Sequence, residues 1–422
     1  MTKPLNKEQR HIVWVMTLGG ILEWFEIYII AYSAPILGKV FFNFENSLYN
    51  ILGVLLLFGM GFISRPFGAI LFGRIGDLIG RKTAFYYSIV LLTIPTFLIG
   101  CLPTFSSIGI AAPILFYLLR FAQSIPASGE SPGTICYLYE NAKTSNRHYL
   151  TSWTDVGNQI GAILAIAETL LVHSILSEAS LIKWGWRIPF WSGAALGLFG
   201  IYLRRNLMET PVFKGLQSHH HVDKETISEV VKNYKKPILL GVGYGAINAV
   251  IFYLFAAFIP DFIGVYYAIN PTALSLTMIA LLAVMTILIP AFGKLADIYS
   301  SKKILIFSSF FVIFLLPPLY SSIQNTNIAQ LTIIGILFVL PIASITALYP
   351  YWIAHLFPAK VRYTAIGLSF NFADGIIGGL SPAIAVAISE ITKNNGAFCW
   401  FVLLCSVISI ISYLKIKENK AH

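Results

Sequence analysis

The sequence predicts an all-α membrane protein, twelve transmembrane helices in two pseudo-symmetric six-helix bundles, on three observations. The 422 residues are 57% hydrophobic and only 11% charged, where a soluble domain carries about a quarter charged residues. The charges are clustered, and apolar runs of about 20 residues separate them, the length a helix needs to cross the hydrocarbon core. Charged motifs also recur at offsets close to half the chain. A large soluble helical protein is excluded, because its helices would carry polar faces at helical period, and these runs are apolar all round.

The runs place spans at 12–34, 52–73, 84–102, 112–139, 152–176, 187–204, 237–264, 273–292, 304–322, 329–352, 364–389 and 397–414. The first continues past Trp24 to Ala34 without a small-residue cleavage pattern, so it is expected to remain as a helix. The net charge of +10 is explained by placement rather than by nucleic-acid binding. With the N-terminus inside, alternate segments hold 23 of the 29 Lys/Arg, while the opposite loops hold Lys39, Lys183 and Lys393. Arg65, Arg120 and Arg187 lie within spans or at their edges. This asymmetry predicts both termini in the cytoplasm and an even number of spans across a bacterial inner membrane.

The largest charged break, from Arg204 to Lys236, divides the chain into an N-terminal bundle 1–204, a cytoplasmic linker 205–236 and a C-terminal bundle 237–422. A short amphipathic helix is expected near Lys224–Asn233. His219, His220 and His221 in this break have no carboxylate or Cys at ligand spacing, and read as a solvated loop rather than a metal site. Cys101, Cys136, Cys399 and Cys405 fall in or beside apolar runs without paired spacing, as small packing residues do. No cofactor is expected beyond a proton as coupling ion. The expected partners are a small molecule and the bilayer, with the protein a monomer.

Two echoes support a duplication. Gly73-Arg-Ile-Gly-Asp77-Leu-Ile-Gly-Arg81-Lys82 follows the second run, and Gly293-Lys-Leu-Ala-Asp297-Ile-Tyr-Ser-Ser-Lys302 follows the eighth. Glu140 and Arg147 after the fourth run match His355 and Arg362 after the tenth. Repeated halves with a site between them are a common transporter plan.

Residues 73–82 resemble the signature loop of the major facilitator superfamily. A narrower resemblance, to its metabolite:proton symporter subfamily, covers most of the chain. It rests on Gly20-Ile-Leu-Glu23-Trp24-Phe25-Glu26, Arg65-Pro66-Phe67-Gly68, Gly185-Trp186-Arg187-Ile188-Pro189-Phe190, Glu209-Thr210-Pro211-Val-Phe213, Leu356-Phe357-Pro358 through Arg362-Tyr363-Thr364, and Gly378-Gly379…Pro382. The resemblance implies a non-enzymatic, proton-coupled importer of an osmolyte such as proline or betaine, or of an organic carboxylate. The chain departs from the family pattern at Glu26 (usually Asp), Ser124, Ser128, His355 (usually Glu) and Ser300-Ser301 (usually Gly-Arg).

An ionisable group at mid-bilayer costs roughly 3 kcal/mol on insertion scales and so needs a reason. Glu23 and Glu26 lie three apart in the first span, where burial and mutual repulsion favour a carboxyl that carries a proton. Pairing with an Arg is the plainer alternative. In the fourth span Arg120, Gln123 and Glu130 can share one stripe. Arg120-x-x-Gln123 resembles the superfamily's fourth-helix motif, whose arginine is linked to proton transfer, and a static ion pair for Glu130 is the alternative. Gating is assigned to Arg65, Asp77, Arg81, Glu140, Arg147, Asp297 and Arg362. Substrate-binding candidates are Trp24, Tyr28, Gln123, Tyr244, Asn248, Asn371 and Asp374. Trp24, Tyr28, Tyr32, Phe252, Tyr349 and Trp352 are candidates for a cation–π box.

The arginines favour a carboxylate-bearing substrate, and the ionisable machinery is expected mainly in the N-terminal half. An exporter running as an antiporter is the main rival, lowered because Gly157…Gly161 is not followed by the Gly-Pro of the antiporter signature. A receptor or a membrane enzyme has no motif in its favour.

Overall fold

The structure is a computed structural model that describes residues 6–42, 47–219, 225–254, 271–324, 328–394 and 396–415. Among the described residues twelve long helices follow one another: α1 Lys7–Tyr32, α2 Ser47–Leu78, α3 Arg81–Gly100, α4 Ala111–Asn141, α5 Arg147–Ile175, α6 Ile188–Arg204, α7 Ile227–Tyr253, α8 Pro271–Ala296, α9 Ser301–Gln324, α10 Ile328–His355, α11, and α12 Phe398–Lys415. α11 runs as three joined pieces, Arg362–Phe370, a π-helical stretch Asn371–Gly378, and Gly379–Thr392. Nine helical segments of the described residues are long and apolar enough to cross a membrane.

These sequences stay helical despite internal prolines, such as Pro66, Pro126, Pro132 and Pro382, because neighbouring helices and hydroxyls satisfy the freed backbone groups in a bilayer. The apolar stripes sort by partner. On α9, Phe307, Phe310 and Phe314 are exposed at helical spacing while Val312 and Leu315 are buried. An exposed phenylalanine stripe of this kind suits lipid, not water. Where helices meet, small residues bring backbones together. A Cβ on Gly157 would stand 2.4 Å from the Thr17 carbonyl oxygen, and one on Gly161 2.3 Å from that of Ile21. α5 therefore lies directly on α1, as small-x-x-x-small faces do.

The region between the halves differs from expectation. Pro211–Ser218 forms a short helix capped by Thr210. The helix anticipated near Lys224–Asn233 is instead continuous with α7, starting at a Thr226/Glu229 capping box and bending at Tyr234. Helix therefore begins ten residues inside the expected linker. Lys224, His220 and His221, and the distal part of the expected 237–264 span, lie outside the described residues.

The two halves meet along α2–α11 and α5–α8. At the end where α1 begins and α12 finishes, the basal end, they are tied by matched helix caps. Asp77 at the end of α2 accepts from the Tyr363 and Thr364 amides at the start of α11, at 3.2 and 2.9 Å. Asp297, just past the end of α8, accepts from the His148 and Tyr149 amides at the start of α5, at 2.9 and 3.1 Å. Each carboxylate satisfies free amides at a helix start and complements its dipole. The duplication read from the sequence is thus a physical symmetry.

Candidate functional site

Midway along the interface, α1, α2, α5 and α11 bring ionisable groups together out of water. Glu23, Arg65 and Asp374 are 1%, 2% and 4% exposed. Arg65 Nη2 donates to Glu23 Oε1 at 3.1 Å, and Ser131 Oγ donates to Glu23 Oε2 at 2.6 Å. The Arg65 stem runs along Gly375 of α11, and its guanidinium lies over the Phe62 ring at 5.1 Å. Its second terminal nitrogen is buried with no hydrogen-bond partner among the described residues. The same holds for Trp24 Nε1, the hydroxyls of Tyr28, Tyr253 and Tyr349, and Asn371 Oδ1. Buried polar atoms are nearly always paired, so these unpaired ones single out this region as the candidate site.

Arg65 was expected among the gating residues. It belongs instead to this centre, because its place on α2 is about three turns above Asp77. Glu23 and Glu26 share no hydrogen-bond partner among the described residues. Three residues apart on α1 they diverge, and each has its own partners. Glu26 accepts from Thr96 Oγ1 and from Gln123 Nε2 at 2.8 Å, and Arg120 Nη1 donates to Gln123 Oε1 at 2.7 Å. This network lies inside the N-terminal half.

Glu130 does not complete a stripe with Arg120 and Gln123. Arg204 binds both of its oxygens, one at 2.9 Å, and Ser88 donates to it at 2.8 Å. The Arg204 guanidinium also covers the Phe85 ring at 3.5 Å. Arg204, read from the sequence as part of the basic break, folds back from the end of α6 and is 1% exposed. Both oxygens of this carboxylate are paired between α3, α4 and α6, the arrangement of the static ion-pair alternative.

The second half departs from expectation in similar ways. Tyr244 faces no shared space: its ring packs on Tyr413 at 4.7 Å and on Trp352 at 6.2 Å. Asn248 accepts from Thr346 at 2.8 Å within its own half. Asn371 does cross the interface, donating to the Ser128 carbonyl at 3.0 Å. The expected aromatic box divides. Trp24 meets Phe252 edge-on at 4.7 Å, and Tyr28 meets Phe252 at 6.3 Å and Tyr32 at 6.0 Å. Tyr349 instead stacks on Phe370, and Trp352 joins Tyr351 and His355 near the basal end.

At that end Arg81 pairs with Asp77 at 3.2 Å and with Glu140 at 3.3 Å, and donates to the Ala359 carbonyl of the other half. Glu140 pairs with Arg362 across the interface at 2.8 Å and accepts from Thr210 at 2.7 Å. Arg147 lies over the Tyr139 ring at 4.6 Å. Asp297 pairs with the His148 ring at 3.0 Å, and His148 stacks on Tyr351 at 3.6 Å. One gate is an Arg/carboxylate cluster, while the other is built largely from aromatic and imidazole rings.

Sequence reasoning missed Asp155, although a carboxylate inside the fifth apolar run was open to the rule used for Glu23. Asp155 and Gln159 lie one turn apart on the face of α5 opposite the exposed Leu164 and Leu171. Arg65 is shared with Glu23, and Arg120 donates to Gln123 beside Glu26, while Asp155 and Asp374 are further buried carboxyl groups.

Residues 12–239 match the family described as sugar (and other) transporter. The chain is 29% identical over 427 residues to a glycine betaine/proline/ectoine/pipecolic acid transporter of Dickeya dadantii, covering 97% of this chain and 83% of that protein. It is likewise 29% identical over 425 residues to a proline/betaine transporter of Escherichia coli K12, covering 97% and 84%. Its fold superposes with a TM-score of 0.79 on a major facilitator superfamily proton:xylose symporter solved with 6-bromo-6-deoxy-D-glucose, at 15% identity, covering 96% of this chain and 94% of that one.

Proposed function

The chain belongs to the sugar (and other) transporter family within the major facilitator superfamily, and from that premise we propose that it imports a small zwitterion of the proline/betaine class together with a proton. It works as a monomer by alternating access and catalyses no chemical step. The Lys/Arg asymmetry supports a bacterial inner membrane with the basal end in the cytoplasm. The names of its relatives support the substrate class.

One observation carries the coupling: Arg65 holds Glu23 with one nitrogen, and its other terminal nitrogen has no partner among the described residues, at the interface of the halves. A proton arriving on Glu23 removes the charge that holds Arg65. Both terminal nitrogens then face a substrate carboxylate in the bidentate geometry that guanidinium favours. Proton and substrate load together because each makes room for the other. The halves then rock about this centre, opening the basal end by releasing the Asp77 and Asp297 caps. One charge crossing about 100 mV contributes roughly 2.3 kcal/mol, enough for about fifty-fold accumulation.

Uptake of labelled proline and glycine betaine into proteoliposomes under an imposed inward proton gradient tests this. Wild-type protein is expected to accumulate substrate only with the gradient, and folded Glu23→Gln protein to lose accumulation while still binding proline. Accumulation by Glu23→Gln at the wild-type level, or uptake indifferent to the gradient, removes the reading.

A further inference from the structure

Two buried carboxyl groups from opposite halves lie within electrostatic reach of one another, and among the described residues neither forms an ion pair. Asp155 Oδ1 accepts from Asn158 at 3.1 Å, and its Oδ2 has no partner among the described residues. Asp374, in the π-helical stretch of α11, accepts no hydrogen bond among the described residues, and its one nearby cation is Arg65, which Glu23 already engages. Asp155 lies within electrostatic reach of Asp374, and both lie within reach of Tyr349. Tyr349 sets its hydroxyl beside Gly245 and Ala373, so the three groups share one neighbourhood. Gln159, fully buried one turn from Asp155, has both amide atoms unpartnered among the described residues.

This neighbourhood holds two buried carboxyl groups with hydrogen-bonding capacity left over, and neither forms an ion pair among the described residues. Buried carboxylates without a counter-charge are strongly disfavoured, and two facing each other across a movable interface push it open. The chemistry that satisfies them is a cation that donates hydrogen bonds. A quaternary nitrogen is a poorer match, since it donates none and is recognised by aromatic faces. The nearby Trp24, Tyr28 and Phe252 rings already pack on one another, filling the cage such a nitrogen would need.

We propose that Asp155 and Asp374 together seat the substrate's positively charged nitrogen, that this nitrogen carries N–H hydrogens, and that its arrival supplies the counter-charge on which the two halves close. The substrate then spans the interface, its carboxylate on Arg65 and its ammonium between Asp155 and Asp374. The inference rests on the zwitterion reading and narrows it from betaines to primary and secondary amines.

Binding of L-proline, N-methyl-L-proline and N,N-dimethyl-L-proline to the purified full chain, measured by isothermal titration calorimetry, tests it. Ring and carboxylate are constant while N–H donors fall from two to none. Affinity is expected to fall at each step and at least tenfold overall. In Asp155→Asn and Asp374→Asn, each checked by its melting temperature, proline binding should weaken at least tenfold and the ranking should flatten. Asp155→Glu should retain the ranking, which a merely structural role would not require. Equal binding of the three compounds to the wild type, or an unchanged ranking in both Asn variants, overturns the inference. If glycine betaine uptake is nonetheless proton-driven, the transport reading survives that result. If no member binds and no proton-driven uptake occurs, both fail.

Discussion

At the scale of single residues, the most informative contrast is between Glu23 and Glu130, two carboxylates that look alike in the sequence. Both sit in apolar runs, and that was enough to find them. What distinguishes them is a partner far away in the chain, which spacing does not reveal. Glu23 shares an arginine that has a free nitrogen, and Glu130 is closed by Arg204, Ser88 and the Phe85 ring. Arg204 was hidden because a cation at a span end normally reaches outward to the interface, and here it turns inward. Removing one member of such a buried pair strands the other charge and costs about 3–5 kcal/mol, whereas replacing both with apolar groups is far milder. Arg204→Met or Glu130→Gln alone should therefore lower the melting temperature sharply in detergent, and the double variant should recover most of the loss. Equal losses in the single and double variants would show that packing, not charge, holds this corner.

At the scale of helices and their ends, span number and order were legible because a bilayer admits few backbone solutions. The ends were less so. α2 runs to Leu78, five residues past the apolar run, because its last turn has a partner: Asp77 caps α11 while Arg81 draws Glu140 and Ala359 onto the same junction. α8 likewise carries its polar end to α5 through Asp297. Losing one helix cap costs about 1 kcal/mol, and the Asp77 junction adds charged partners that Asp297 lacks. Asp77→Asn should thus slow initial uptake more than Asp297→Asn, by roughly tenfold against a few-fold, with more hydrogen exchange at the start of α11. Equal effects at both positions would mean that the two junctions carry similar load. The π-helical stretch of α11 was not legible, since its composition is that of an ordinary apolar helix. Its effect is local: it offsets the side-chain register where Asn371 and Asp374 enter the interface, as π-bulges do at functional sites.

At the scale of the whole molecule, the repeat predicts what the second gate has lost. Glu140 pairs with Arg362 at one junction, and the repeat places His355 and Arg147 at the equivalent positions of the other. Arg147 lies within electrostatic reach of His355. Its Nε has no partner among the described residues, and its guanidinium rests on Tyr139, while His355 bonds to the Tyr139 hydroxyl at 2.9 Å. The basal end is thus held by one strong clasp and one weak one. With the basal end in the cytoplasm, as proposed, an importer releases its cargo there, and a weaker clasp lowers the barrier to opening it. His355→Glu rebuilds the missing partner for Arg147. A pair of that kind, worth about 1 kcal/mol, changes a two-state equilibrium roughly five-fold, here toward the state closed at the basal end. The variant should melt higher and turn over several-fold more slowly, with proline affinity little changed, since His355 is far from the central carboxylates. If turnover and melting both match the wild type, the asymmetry of the gates is an accident of descent rather than a working feature.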